Sequence, residues 1–162
     1  MNEPTDNPYK SPEARLDQSN SGKNVQILGR FTAWGVFGLT IITLGIYPIY
    51  WMYSRAKIIN TLHEDKISSA LLISFIVFAI LTFFSGFFGG SEAAILAREV
   101  IPLVNLVLYL IVLFTIRNRL QDIVNRSGNK QYKVGIVLTL FFFVIYLQYK
   151  INKCIDELQP GT

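Results

Sequence analysis

Twenty-three consecutive uncharged residues, Phe31 to Tyr53 (FTAWGVFGLTIITLGIYPIYWMY), constrain this chain more than any other feature. At a helical rise of ~1.5 Å per residue, such a run is long enough to cross a hydrocarbon layer of ~30 Å. Aromatic residues crowd its C-terminal end, and SRAK follows at once. Tyr47, Tyr50, Trp51 and Tyr53 therefore read as an interfacial girdle, with Arg55 and Lys57 as lipid-facing bases.

The remainder of the chain repeats the pattern. Charged residues make up 16% of the sequence, well below the roughly 25% of a soluble domain. Hydrocarbon is the expected solvent, and in hydrocarbon a helix satisfies its own backbone. The prediction is an all-α integral membrane protein with four transmembrane helices arranged as two hairpins. Its spans fall at about 31–53, 67–88, 100–116 and 132–149, within a membrane domain of residues 29–153. A short tail, 154–162, follows. The fourth span is the shortest, because Val134–Leu147 covers only ~21 Å as a helix.

Residues 1–28 contain prolines at positions 4, 8 and 12 and nearly balanced charges, four acids against three bases. They cannot bury enough apolar surface to offset their ordering entropy and are expected to be disordered. Within them NPYKSP (Asn7–Pro12) reads either as a short docking motif or as plain solvated tail. No apolar signal-peptide core precedes Phe31.

Gly35, Gly38, Gly45 and Pro48 punctuate the first span. They allow a kinked crossing helix, or a re-entrant segment that turns back near Gly45–Pro48. Crossing is preferred because 23 residues reach across. Four crossings place eight Lys/Arg of the two basic connections on one side against five on the other. A re-entrant first segment makes that ten against three. Bases collect on the cytoplasmic side, so the first arrangement orients the protein only mildly, with both termini outside.

A shift of 62 positions carries Tyr47 onto Tyr109, Arg55 onto Arg117 and Lys57 onto Arg119. Apolar positions such as Ile42 and Leu44 land on Val104 and Leu106. Arg117 and Arg119 then stand as further lipid-facing bases, and the chain reads as two related units of the kind built by duplication. Two simple apolar hairpins are the alternative.

Other classes of function find little support. The net charge of +4 does not indicate nucleic acid, because the bases lie beside apolar runs. Their expected partners are membrane lipids with anionic headgroups, at about 1 kcal/mol per base. Cys154 is the sole cysteine, which excludes an intrachain disulfide and a thiolate metal site. His63, Glu64 and Asp65 are too few for zinc. They read as a solvated turn, with pH sensing by His63 as the functional alternative. Gly86 and Gly90 have small-xxx-small spacing, but their position favours a helix stop. Gly128 is placed to cap the third helix.

No catalytic set, metal or cofactor is expected. The leading function is a small non-enzymatic protein of a bacterial inner membrane. It would act through helix packing, lipid, a membrane-protein partner or further copies of itself. The alternative is an oligomeric transporter or channel whose polar path runs near Thr40, Thr43, Gly45, Pro48 and Asn105. Asn105 is otherwise glue between helices.

The string TLGIYPIYWMYSRAKIIN (Thr43–Asn60) resembles the signature of an uncharacterised bacterial membrane-protein family, domain of unknown function 4234. VIPLVNLVLYLIVLFTIRNRL resembles that family's second block, although no Trp stands at Val112 or Leu113. NPYKSP resembles an element at the start of many small bacterial membrane proteins. The resemblance covers roughly residues 31–149. It implies membrane class and fold, and it carries over no functional residue.

Overall fold

The computed structural model describes residues 26–87, 90–127 and 132–158. The polar tail with NPYKSP (except 26–28) and the Gly128 cap lie outside the described residues. Five helices follow in order: α1 Ala33–Ile42, α2 Ile46–Leu62, α3 Ser69–Phe84, α4 Glu92–Ser127 and α5 Ile136–Leu158. A 3₁₀ turn, Ser85–Phe87, continues α3, and no strand occurs among the described residues.

The uncharged run 31–53 does not cross as one helix. It breaks at Thr43–Leu44–Gly45, between α1 and α2. Leu44 and Gly45 both adopt positive φ, 51° and 88°. The Gly45 N–H donates to the Thr40 carbonyl and the Leu44 N–H to the Ile41 carbonyl, the paired bonds of a Schellman stop. Thr43 completes the turn: its hydroxyl donates to the Leu39 carbonyl and accepts the Tyr47 N–H. Pro48 sits in the first turn of α2, where an absent amide costs little. The break thus satisfies its own backbone, as a low-dielectric surrounding demands.

The chain also reverses there. A Cβ on Gly29 would lie 3.5 Å from the Arg55 guanidinium, whereas 26 residues of straight helix would separate these positions by ~39 Å. Residues 29–55 therefore form a helical hairpin with its tip at Leu44–Gly45. This corrects the expectation of a crossing first span.

Three helical segments are long and apolar enough to cross a membrane, not four: Ser69–Phe87, Ala97–Arg126 and Ile136–Glu157. Length and composition alone qualify the last of these, and its geometry disqualifies it as a straight rod. Phe143 interrupts α5 with φ 45° and ψ −129°. The Tyr132 hydroxyl donates to the Lys150 carbonyl at 2.6 Å, and the Gly135 N–H donates to the Tyr146 hydroxyl at 3.1 Å. Phe143 itself stacks edge-on against Tyr109, deep along α4. The chain therefore descends beside α4, turns at Phe143 and returns, making 132–150 a second helical hairpin.

Of the three, α3 and α4 run without a non-helical interruption and pack along one another. The core gathers where the hairpins meet them. Trp51, Met52, Ala56 and Ile59 of α2 face Val112, Leu113, Ile116 and Leu120 of α4, and Val144, Leu147, Ile151 and Cys154 of α5 join them. Each set follows the three-to-four-residue spacing of one helix face. Toward the two tips the surface is apolar, with Leu44 84% and Phe141 71% exposed there. Gly86 lies in the 3₁₀ turn with nothing within 4 Å of an added Cβ. It ends α3 and brings no helix close.

Candidate functional site

One polar end holds the chemistry of this molecule, and Gln148 is at its centre. This amide is fully buried. Its Oε1 accepts the Trp51 indole N–H at 2.8 Å and the Arg55 guanidinium at 3.3 Å. Its Nε2 donates to the Gly29 carbonyl at 3.3 Å and to Asn152 Oδ1 at 2.9 Å. Asn152 in turn donates to the Phe31 carbonyl at 2.6 Å. The return limb of the second hairpin thereby clasps the mouth of the first. Arg30 and Asp156 add an exposed ion pair at 3.0 Å.

Several residues expected to face lipid turn inward instead. Trp51 is 2% exposed and belongs to the clasp, not to an aromatic girdle. Arg55 stacks over Trp51 at 5.6 Å, and its Nε is buried without a hydrogen-bond partner. Burial lowers the affinity of Arg55 for its proton, opposed by the nearby Tyr47 and Tyr50 rings. Arg117 donates through Nε and Nη2 to the Val134 carbonyl, where the second hairpin begins. The Gln121 side chain accepts the Val134 N–H. Arg119 pairs with Asp65 at 3.1 Å. Among the named bases Lys57 is exposed, with its ammonium 4.8 Å over the Tyr53 ring.

Related positions do related work. Arg55 and Arg117, 62 residues apart, each reach a hairpin mouth. Asn60 accepts the Ile67 N–H and Asn125 accepts the Tyr132 N–H, both at 2.6 Å and both seven residues ahead. The strings Ile58-Ile59-Asn60 and Ile123-Val124-Asn125 thus tie down the next apolar segment in the same way, at an offset of 65. Three extra residues between the arginines and the asparagines explain the change of offset.

His63 is buried, not in a solvated turn. Its Nδ1 accepts the Asp65 N–H, so a neutral ring carries its proton on Nε2, 3.9 Å from Asp122. Among the described residues no group of three His, Cys, Asp or Glu side chains could hold a metal.

At the opposite end of the hairpins an apolar groove of about 620 Å³ lies between α2 and α3. Leu44, Gly45, Ile46, Tyr50, Tyr53 and Phe83 line it, with Asn105 in its wall. Asn105 also borders a second hollow beside Phe143 and Tyr109. The tips of both hairpins therefore converge on the one amide of the third expected span, whose Oδ1 is buried without a partner. The other residues of the expected polar path lie elsewhere. The Thr40 and Thr43 hydroxyls donate to carbonyls within α1, and Pro48 is buried.

Sequence reasoning missed Gln148, Asn152, Gln121, Asn60 and Asn125. A signal existed in the amides at 148 and 152, four residues apart at the edge of an apolar run. Without the hairpin mouth beside them, they read as interfacial polarity.

The profile of the family described as Domain of unknown function (DUF4234) matches residues 31–157. Comparison with curated proteins and with solved structures gives no match.

Proposed function

The chain belongs to the DUF4234 family, whose description assigns no activity, and we propose from its own geometry a non-enzymatic role at the cytoplasmic face of an inner membrane. In this reading the protein works by contact with anionic lipid headgroups and with partner membrane proteins or further copies of itself. One observation carries it. Of the eleven Lys and Arg among the described residues, ten lie at the end where the two hairpins open, and Arg98 lies at the other. Bases on short loops face the cytoplasm, and ten against one is a far stronger bias than the seven against four that four crossings would give the same residues. Both ends of the described chain then face the cytoplasm, and only the α3–α4 connection faces outward.

Single cysteines in a Cys154→Ser background test this reading. A membrane-impermeant maleimide applied to intact cells should label Gly90→Cys, whereas Arg30→Cys and Lys153→Cys should react only after permeabilisation. Labelling of Arg30→Cys from outside would sink it. For the lipid contact, added anionic lipid should raise the thermal stability of the detergent-purified protein more than zwitterionic lipid does.

A second reading, a small transporter or channel, draws on Asn105. An unpartnered amide oxygen where both hairpin tips meet is where a polar solute would be held. Loss of flux in Asn105→Leu with unchanged folding would favour it.

A further inference from the structure

The helical mass of this protein is divided unequally between the two halves of the bilayer. Near the basic end six helical rods lie side by side: α1, α2, α3, α4 and the two limbs of α5. Both hairpins end near Asn105. Beyond that level only α3 and α4 continue. The ten residues of α1 reach about 15 Å, short of a ~30 Å hydrocarbon core.

We propose that the protein is a one-leaflet wedge, which partitions to membranes whose basic-end leaflet is convex. Each rod is about 10 Å across and occupies roughly 80 Å², so four extra rods add roughly 300 Å² to one leaflet only. Lipid of the opposite leaflet must fill the space under the tips, where Ile42, Leu44, Phe141 and Phe142 are all exposed and apolar. A leaflet carrying the extra area is relieved where it bends outward, the effect by which shallow amphipathic helices respond to curvature. The hairpins cannot adjust by withdrawing. Gln148 and Asn152 fix the mouth of the first, Arg117 and Gln121 the start of the second, and at the first tip the Thr43 hydroxyl is already satisfied within the turn. The wedge rests on the preceding reading only in naming its convex leaflet as the cytoplasmic one; the asymmetry stands without it.

The full chain, fluorescently labelled at Lys153→Cys in the Cys154→Ser background, is reconstituted into phosphatidylcholine vesicles. The vesicles run from small and strongly curved to large and nearly flat. An external quencher separates molecules with the basic end outward from those with it inward. Outward molecules should be about threefold denser on the smallest vesicles than on the largest, and inward molecules should show the reverse slope. Flat densities, or the same slope in both orientations, would overturn the proposal. The absence of anionic lipid keeps the two readings apart. A slope here without stabilisation by anionic lipid breaks the headgroup reading alone, and stabilisation with flat densities breaks the wedge alone. A depth measurement adds a check that does not depend on vesicle size. Fluorophores at Leu44→Cys and Phe141→Cys should be quenched best by mid-bilayer spin labels, and either one quenched from the water beyond the far leaflet would overturn the wedge.

Discussion

The two helical hairpins turn by different means. The first turns through a stop built from the local chain: Thr43, Leu44 and Gly45 satisfy the last carbonyls of α1 and the first amides of α2. The second turns at a single residue, Phe143, held at φ 45°. Nothing local favours that conformation, since positive φ in a bulky residue is costly. It is held by its base, where two tyrosine hydroxyls tie Tyr132 to Lys150 and Gly135 to Tyr146, and by the Tyr109 ring at its tip. One hairpin is encoded in its turn and the other in its tertiary contacts.

The largest test of that contrast concerns the clasp joining them. Gln148→Leu strands the Trp51 indole, the Arg55 guanidinium and the Gly29 carbonyl together, and stranded buried groups cost about 1–3 kcal/mol each. A loss of about 3 kcal/mol or more is expected in reversible denaturation from mild detergent. A loss below about 1 kcal/mol would mean that the hairpins seat independently.

Cys154 reports whether the return limb of the second hairpin is docked. It is 1% exposed, and a thiol buried in apolar surroundings is slow to ionise and react. Alkylation of the folded protein should be at least about tenfold slower than that of the denatured chain. Equal rates would show that the limb is loose.

The tyrosine ties come next. Tyr132→Phe and Tyr146→Phe each remove one hydrogen bond, at about 1 kcal/mol apiece by the same denaturation. Both should also expose Cys154 to alkylation, while neither should disturb the first hairpin.

The smallest effect has an unusual sign. Leu44 is 84% exposed at φ 51°, so Leu44→Gly should stabilise the first turn by about 0.5–1 kcal/mol. Gly45→Ala, at φ 88°, should destabilise it by about 1 kcal/mol. A destabilising Leu44→Gly would mean that Leu44 contributes packing in the bilayer which its exposure does not reveal.

This contrast also explains what was legible beforehand. Gly45 and Pro48 marked the first turn, and the re-entrant alternative was visible in them. Twenty-three uncharged residues are also long enough to span, which favours a crossing helix. Nothing marks the second turn, since VLTLFFFVIYL contains neither Gly nor Pro and reads as one short span. Its length was the only clue: ~21 Å of apolar helix falls short of a bilayer. The clasp was less legible still. Trp51 and Arg55 have the same sequence context as interfacial anchors, and only the approach of Gln148, 97 residues later, turns them inward.

The membrane class, the helical secondary structure and the basic-flanked apolar runs were determined by the sequence alone, because hydrocarbon leaves a backbone few ways to satisfy itself. So was the relation between Arg55 and Arg117. Which runs cross was decided only in the tertiary structure. A helix long enough to span can turn back when distant side chains supply the partners its ends require. Here Gln148, Asn152 and Arg117 supply them, and two of the four expected spans fold as helical hairpins.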